Sequence, residues 1–288
     1  MSITKGGINQ MKIGFIGAGS MGSLLVGAFI RAGVLCPDDI IVSSRTPSKI
    51  SDLAEQYPGL QMAASNRQAA SGVDYLFLCI KPLDFHKVLE EISPVMRSNQ
   101  IVISITSPVK ISALEERLSC KVAKIIPSVV NAVGSGASLF MWGTRLTPED
   151  KSAVWHLFSN ISRPIEILEK EVRVASDISS CGPAFLANLL EQFIDAAVLS
   201  KGMDRDTATT LACEMMLGTS RLLLEHPLTP SELQARVSVP GGITAAALDT
   251  LQKSTHGAFL EVLYTTHEKF AEDLHRVDSS LFPQEERT

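Results

Sequence analysis

Short apolar runs alternate with amphipathic segments over the first half of the chain. The apolar runs are predicted strands: Lys12–Ile16, Ile40–Ser43, Tyr75–Cys79, Ile101–Ile105, Lys121–Ile126 and Ser138–Trp142. The segments between the early runs have helical periodicity: Ser20–Ala32, Pro47–Gln56, Leu83–Ser93 and Ile111–Leu118. Strands that alternate with helices at this interval predict a parallel, doubly wound α/β sheet, and continuously apolar strands fit a sheet covered on both faces.

The pattern changes after about Pro164, and almost every later segment has the periodicity of a helix. These predicted helices are Val172–Lys201 with a kink at Gly182-Pro183, Asp204–Glu225, Pro230–Val237, Ile243–Gln252 and Gly257–Leu274. The sequence therefore predicts four regions: a disordered extension over 1–10, an α/β domain over 11–165, an all-helical domain over 166–275, and a flexible tail over 276–288.

The longest predicted helix, Val172–Lys201, is apolar on several sides. Its large apolar residues are Phe185, Leu186, Leu189, Leu190, Phe193, Ile194 and Val198. A helix of this kind is buried all round, in a large core or against another subunit. Because the predicted helical domain is small, we expect a homodimer, or a higher homo-oligomer, with extensive helix packing.

Composition and charge exclude several classes of protein. Of 288 residues, 45% are hydrophobic and 20% charged, and the net charge is −5. This charge does not favour nucleic acid or an anionic membrane as a partner. The five cysteines form no CxxC pair or zinc-type cluster, so no metal is expected. No segment approaches the about 18 apolar residues of a membrane span, and 1–10 lacks a secretory core; a cytoplasmic protein is predicted.

The strongest motif contains three glycines, Gly17, Gly19 and Gly22, in the pattern GxGxxG. It follows an apolar strand and begins an amphipathic helix, which is the setting of a dinucleotide-binding Rossmann turn. Gly17 permits the tight turn, Gly19 permits close approach of a pyrophosphate, and Gly22 permits close packing of helix on strand. The helix N-terminus adds partial positive charge for the same anion.

The end of the second predicted strand indicates which cofactor is bound. An NAD site carries Asp or Glu there for the ribose 2′-hydroxyl. This chain has Ser44 and Arg45, with Lys49 about one helical turn later. A guanidinium suits a 2′-phosphate because its planar fork binds two oxygens. We therefore expect NADPH as the cofactor, with NADH as the second choice.

Five segments together resemble pyrroline-5-carboxylate reductases, over Met11 to about Leu274. They are the segments Gly14–Gly22, Val42–Lys49, Cys79–Pro82, Cys181–Phe185 and Pro240–Thr244. The resemblance implies a Rossmann domain, a helical dimerisation domain, and reduction of the cyclic imine 1-pyrroline-5-carboxylate to proline with NAD(P)H, a step of proline biosynthesis.

The resemblance also implies roles for individual residues. The pyrophosphate would be held by Gly17, Ala18, Ser20 and Met21, and Gly19 and Gly22 complete the cofactor-binding motif. The 2′-phosphate would be held by Ser44, Arg45 and Lys49, and the nicotinamide side would be flanked by Ile80, Lys81 and Pro82. The substrate would meet Gly241, Gly242 and Thr244, with Thr244 the candidate catalytic residue that hydrogen-bonds the imine nitrogen.

Several positions depart from the usual pattern of that family. Val239 replaces a serine before Pro240, Ser128-Val129 stands in the usual Asn-Thr position, and Thr106-Ser107 replaces Ala-Ala. These changes resemble the late-competence branch of the family (ComER-type proteins), and they weaken the inference of proline formation.

Two other functions remain open. One is a regulatory or non-catalytic NADP-binding dimer associated with late competence, which the altered pocket favours. The other is an enzyme of the 3-hydroxyacid dehydrogenase type, which begins with a similar glycine motif. That class uses a lysine in the long helix as acid and base, and Cys181–Glu191 contains none. We therefore favour the imine reductase.

Overall fold

The computed structural model describes residues 11–226 and 228–282. The predicted extension over 1–10 and the last part of the predicted tail, 283–288, lie outside the described residues. By compactness the chain forms two units. The sheet unit contains 11–181 and 266–282, and the helical unit contains 182–265.

The sheet unit is built on one twisted sheet, with eight strands among the described residues. They are β1 (Ile13–Ile16), β2 (Ile40–Ser43), β3 (Gln61–Met62), β4 (Tyr75–Leu78), β5 (Ile101–Ser104), β6 (Lys121–Ile126), β7 (Ala137–Trp142) and β8 (Arg163–Glu166). Their order is β3-β2-β1-β4-β5-β6-β7-β8, and every pair is parallel except β6 with β7. The first six strands have the Rossmann order, so the predicted doubly wound α/β domain is confirmed.

Seven α-helices of the described chain cover or flank this sheet. They are α1 (Ser20–Arg31), α2 (Pro47–Gln56), α3 (Asn66–Ala70), α4 (Phe85–Ile92), α5 (Ile111–Arg117), α6 (Pro148–Ser159) and α7 (Val172–Ser176). One buried core contains stacked aromatic rings, including Phe15 and Phe77 with centroids 4.5 Å apart. A second core contains Leu76, Phe85 and Leu114. The two cores explain why the strands are apolar without alternation.

The predicted helix Val172–Lys201 is interrupted. After α7 the chain forms one π-helical turn, Asp177–Cys181, and α8 (Gly182–Lys201) begins at the predicted kink. A π-turn inserts an extra residue into the helical ladder, and such turns occur often at functional sites. The compact units also divide here, at Cys181-Gly182, because β8 and α7 stay with the sheet.

The helical unit contains α8, α9 (Arg205–Glu225), α10 (Pro230–Val237), α11 (Ile243–Thr255) and the beginning of α12 (Ala258–Leu281). Its buried cluster is small, with Ile194, Ala208 and Ala212 below one-tenth exposure. None of the described helices is long and apolar enough to cross a lipid bilayer.

The structure corrects the expectation of a flexible tail from residue 276. Helix α12 continues to Leu281, and from Thr266 onward it belongs to the sheet unit. Val277 and Leu281 are 1% and 0% exposed in the second core. Their spacing of four residues puts both on one helix face, and burial of that face holds the helix to its end.

Candidate active site

The predicted cofactor residues come together at the carboxyl edge of the sheet. Ile16, the last residue of β1, is in register with Ser43 of β2 and Leu78 of β4. The loops that follow these three parallel strands therefore begin at the same edge, where ligands of open α/β sheets bind. They carry the glycine turn, the segment with Arg45, and the segment with Lys81.

Two glycines of the turn are required by the backbone itself. Gly17 has a φ of +106°, and its N–H donates to the carbonyl of Ser43 at 2.8 Å. A Cβ at Gly17 would lie 2.2 Å from the carbonyl oxygen of Cys79. A Cβ at Gly22 would lie 2.0 Å from the carbonyl oxygen of Gly17. Both positions therefore exclude any side chain, as the motif predicts.

The third glycine leaves open space at the start of α1. A Cβ added at Gly19 would meet no atom within 4 Å, and Gly19 is the N-cap residue without a side-chain cap. The first N–H groups of a helix have no partner within the helix. An exposed turn of this kind at a helix N-terminus fits a pyrophosphate. The donors present therefore suit the expected dinucleotide.

The segment after β2 presents the predicted 2′-phosphate residues. Arg45 is exposed, and its Nη1 lies 3.4 Å from Oδ1 of Asp84. The Ser44 hydroxyl accepts a hydrogen bond from the backbone N–H of Thr46 at 3.3 Å. Lys49 lies in the first turn of α2 and is exposed. The two cationic side chains are therefore accessible to an anion.

The structure adds Asn66 to the residues near this segment. Ser43 Oγ donates to Asn66 Oδ1 at 2.7 Å, and Asn66 Nδ2 donates to Glu91 Oε2 at 2.7 Å. Asn66 is the first residue of α3, whose N-cap Ser65 accepts from the N–H of Gln68. This capping pattern was the signal available in the sequence.

The loop after β4 occupies the next part of the edge. The carbonyl of Ile80 accepts from the Thr106 hydroxyl at 3.1 Å, which joins the ends of β4 and β5. Lys81 and Pro82, which are predicted to flank the nicotinamide, line a cavity together with Arg45, which is predicted to hold the 2′-phosphate. Burial raises the pKa of the Cys79 thiol far above its usual value, so this cysteine is a neutral packing residue beside the turn.

The loop after β6 is tied to the π-helical turn by serine side chains. Ser128 Oγ donates to the carbonyl of Ser179 at 2.6 Å, and Ser180 Oγ donates to the carbonyl of Pro127 at 2.9 Å. The neighbouring apolar side chains Val129 and Ile178 are 52% and 75% exposed. This part of the edge therefore presents apolar groups, while the hydroxyls are used within the fold.

The π-helical turn also carries a buried carboxylate, Asp177, whose side chain is 0% exposed. It accepts from Arg173 Nη2 at 2.7 Å and from the Thr266 hydroxyl at 2.9 Å. His267 Nε2 lies 3.4 Å away. These contacts fix α7, the π-turn and the second half of α12 to one another.

The predicted substrate residues lie in the helical unit, at the start of α11. Gly241 has a φ of +74°, and Gly242 is the N-cap without a side-chain cap. The N–H of Gly242 donates to the carbonyl of Val239 at 2.9 Å, which closes the turn. Thr244 is in the first turn of α11 and is exposed. Free amides and a hydroxyl thus stand at one helix N-terminus, a suitable place for a carboxylate.

Two family models match the chain. Residues 169–273 match the model described as pyrroline-5-carboxylate reductase dimerisation. Residues 12–108 match the model described as NADP oxidoreductase, coenzyme F420-dependent. The expected NADP-type cofactor domain and the helical dimerisation domain are thereby confirmed.

Similar proteins agree over almost the full length. ComE operon protein 4 of Bacillus subtilis (strain 168) is 37% identical, over 93% of this chain and 98% of that protein. Pyrroline-5-carboxylate reductase of Methanosarcina acetivorans is 32% identical, over 92% of this chain and 98% of that protein. The crystal structure of Plasmodium falciparum pyrroline carboxylate reductase with NADP bound has a TM-score of 0.79 at 26% identity, and the match covers 96% of this chain and 100% of that one. The chain therefore belongs to the pyrroline-5-carboxylate reductase family of oxidoreductases.

Proposed function

We propose that the chain reduces a cyclic imine, 1-pyrroline-5-carboxylate or a close relative, to proline or its analogue with NADPH. The observation that carries this proposal is the open glycine turn with Arg45 beside it at one sheet edge. Reductase relatives of nearly the same length support the choice of reaction.

The sheet unit would bind and orient the cofactor. The turn amides and the N-terminus of α1 hold the pyrophosphate, and Arg45 with Ser44 and Lys49 holds the 2′-phosphate. When bound, the reduced nicotinamide supplies a hydride for the imine carbon. The chain itself fixes the distance and orientation of the reacting groups, which is the protein's main task when the cofactor carries the chemistry.

The start of α11 would bind the substrate. The backbone amides after Gly242 are suited to binding a carboxylate, because the helix N-terminus carries partial positive charge. The Thr244 hydroxyl donates to or accepts from the imine nitrogen or a water beside it. A cyclic imine that is already protonated needs no strong acid from the protein, which fits the absence of a catalytic acid from the predicted site.

We also propose that the working form is a homodimer in the cytoplasm. Within one chain, α8 exposes Leu186, Leu189 and Phe193 by 49%, 42% and 63%, and their spacing puts them on one helix face. Contiguous apolar surface of this kind requires a partner surface, and the helical unit matches a dimerisation model. The five cysteines are free thiols, as is usual in a reducing compartment.

Steady-state NADPH oxidation with 1-pyrroline-5-carboxylate tests the proposal. We expect turnover by the wild type and a decrease in kcat/KM of about tenfold to hundredfold for Thr244→Ala, the effect of one hydrogen bond to a charged group, with NADPH affinity unchanged. Thr244→Ser should retain most activity because it keeps the hydroxyl. Thr250→Ala is the matched control, since Thr250 lies on α11 and its hydroxyl donates to the Ala246 carbonyl of the same helix. Equal activity of wild type and Thr244→Ala would refute the role of Thr244.

A second candidate function is a regulatory NADP-binding dimer. The exposed Val129 and Ile178, together with serines used inside the fold, favour it because they leave few polar groups to orient a substrate. NADPH binding without turnover of any cyclic imine would support this function and refute the reductase.

A further inference from the structure

The sheet unit contains a cavity of about 380 Å³ beside the predicted 2′-phosphate residues. Arg45 lines it from the loop after β2, and Lys81 and Asp84 line it from the loop after β4. The remaining wall is the second half of α12, which contributes Asp273, Arg276 and Val277. These three elements meet within one compact unit.

The charges around this cavity do not cancel locally. Both acidic groups have partners, since Asp84 lies 3.4 Å from Arg45 and Asp273 lies 3.2 Å from Nζ of Lys269. Within residues 11–226 and 228–282, neither Lys81 nor Arg276 forms an ion pair. Two unpaired cations and one exposed, loosely paired guanidinium therefore line the same space.

The position of Arg276 is fixed by its neighbour in the helix. Val277 is 1% exposed and packs in the second core of the sheet unit. Because α12 is helical through this point, the backbone of Arg276 is held beside the cavity. An anion that enters the cavity would therefore meet a preplaced cation at little cost in backbone entropy.

We propose that Arg276 is a specificity-determining residue for the 2′-phosphate of NADPH, acting with Arg45. The inference rests on the proposed function only in its choice of NADPH. A phosphate monoester is the anion that fits, because the end of β2 is where a Rossmann fold places the adenosine ribose. Guanidinium groups bind its oxygens in pairs.

Binding of cofactor fragments tests the proposal without any imine chemistry. Calorimetry measures the dissociation constants of adenosine 2′,5′-bisphosphate, 5′-AMP, inorganic phosphate, NADPH and NADH for the full chain. The variants are Arg276→Gln, Arg276→Lys and Arg45→Gln. Arg97→Gln is the matched control, because Arg97 is exposed just before β5 and therefore at the opposite edge of the sheet.

We expect Arg276→Gln to weaken NADPH and the 2′,5′-bisphosphate by about fivefold to tenfold, the effect of one partly exposed charge-assisted contact. Binding of 5′-AMP and NADH should stay within about twofold, as should every ligand of Arg97→Gln. Arg276→Lys should recover part of the loss. Inorganic phosphate binding as tightly as the 2′,5′-bisphosphate would overturn the proposal in favour of a free-anion site.

Unchanged binding of the 2′,5′-bisphosphate to Arg276→Gln, alongside a clear loss for Arg45→Gln, would also overturn it. Thermal unfolding of each variant shows whether a loss of ligand affinity comes from misfolding. If Arg276→Gln is misfolded, the affinities of Arg276→Lys and the wild type are compared instead. A wild type that binds NADPH but reduces no imine refutes the proposed reaction and leaves this inference standing.

Discussion

Replacing Gly19 by alanine separates cofactor binding from folding. Gly19 has a φ of −78° and a ψ of −173°, a conformation that alanine adopts freely. The added methyl group would meet no protein atom within 4 Å. Alanine is a slightly poorer N-cap than glycine, but it restricts the unfolded chain, so the free energy of unfolding should change by less than about 1 kcal/mol.

The same methyl group would stand where the pyrophosphate approaches the turn. Loss of one charge-assisted hydrogen bond to the phosphate costs about 1.5–3 kcal/mol. NADPH affinity should therefore fall by about tenfold to 150-fold. The assay combines a fluorescence titration with NADPH and a urea unfolding curve on the same preparation.

Gly22→Ala is the comparison variant, because its Cβ would lie 2.0 Å from the Gly17 carbonyl oxygen and 3.1 Å from Cβ of Cys79. Overpacking of this kind should lower the free energy of unfolding by about 1–3 kcal/mol in addition to weakening NADPH. If Gly19→Ala bound NADPH as tightly as the wild type, the pyrophosphate could not lie over this turn, and the reasoning would fail.

Three further predictions concern charge and burial. Arg45→Ala should weaken NADPH far more than NADH in a binding titration, and equal losses would contradict the 2′-phosphate assignment. Glu169→Gln removes the ion-pair partner of Lys124, which is 1% exposed and has its Nζ 2.8 Å from Glu169 Oε1; unfolding at pH 7 should cost about 2 kcal/mol less. Burial lowers the pKa of Lys124 while Glu169 opposes the shift, so the unfolded state binds more protons and the stability of both proteins should rise between that lowered pKa and the usual value of about 10.4. Without Glu169 the pKa of Lys124 should be lowered further, so the deficit of the variant should shrink between its own pKa and that of the wild type in urea unfolding. A deficit independent of pH would rule out the ion pair as its cause. Burial raises the pKa of Cys120 to about 11, so iodoacetamide should modify the exposed Cys36 of the folded protein and spare Cys120, as mass spectrometry would show.

The central strands were predictable because strands buried on both faces need apolar side chains at almost every position, and such runs stand out in the sequence. The predicted bounds of β2 and β6 agree with the structure residue for residue. The edge strands β3 and β8 were missed for the opposite reason: Gln61, Met62, Arg163 and Glu166 are exposed. Backbone pairing holds such strands, and it leaves no apolar run in the sequence.

The sequence analysis missed two helices, α3 and α6, and only α6 has a clear signal in the sequence. Helix α6 has a capping box of Thr147 and Asp150 and buries Val154 and Phe158, so its signal was present in the sequence. Helix α3 has only five residues. Its amphipathic pattern is too short to stand out, because a helix of that length is stabilised by the strands around it.

The site was predictable where its constraints are local. Gly17 is required by its positive φ, and Gly22 by the nearby Gly17 carbonyl, so both constraints lie within the motif. The contacts of both glycines with Cys79 come from the strand β4 side and were not visible in the motif. The cavity next to Arg45 depends on Arg276, which is more than 200 residues away along the chain. No periodicity or spacing in the sequence connects two such positions. The sequence therefore predicted a flexible tail at residue 276, where the structure has a helix that lines the cavity.

Helix α12 has a consequence for how this protein is made and divided. Val277 and Leu281 complete a core whose other members, such as Leu76 and Leu114, were synthesised long before them. During synthesis the second core of the sheet unit would therefore have an exposed apolar groove until α12 is made and packs into it. A fragment cut at the apparent end of the sheet would keep that groove open to solvent, and an isolated cofactor domain would need residues from both ends of the chain.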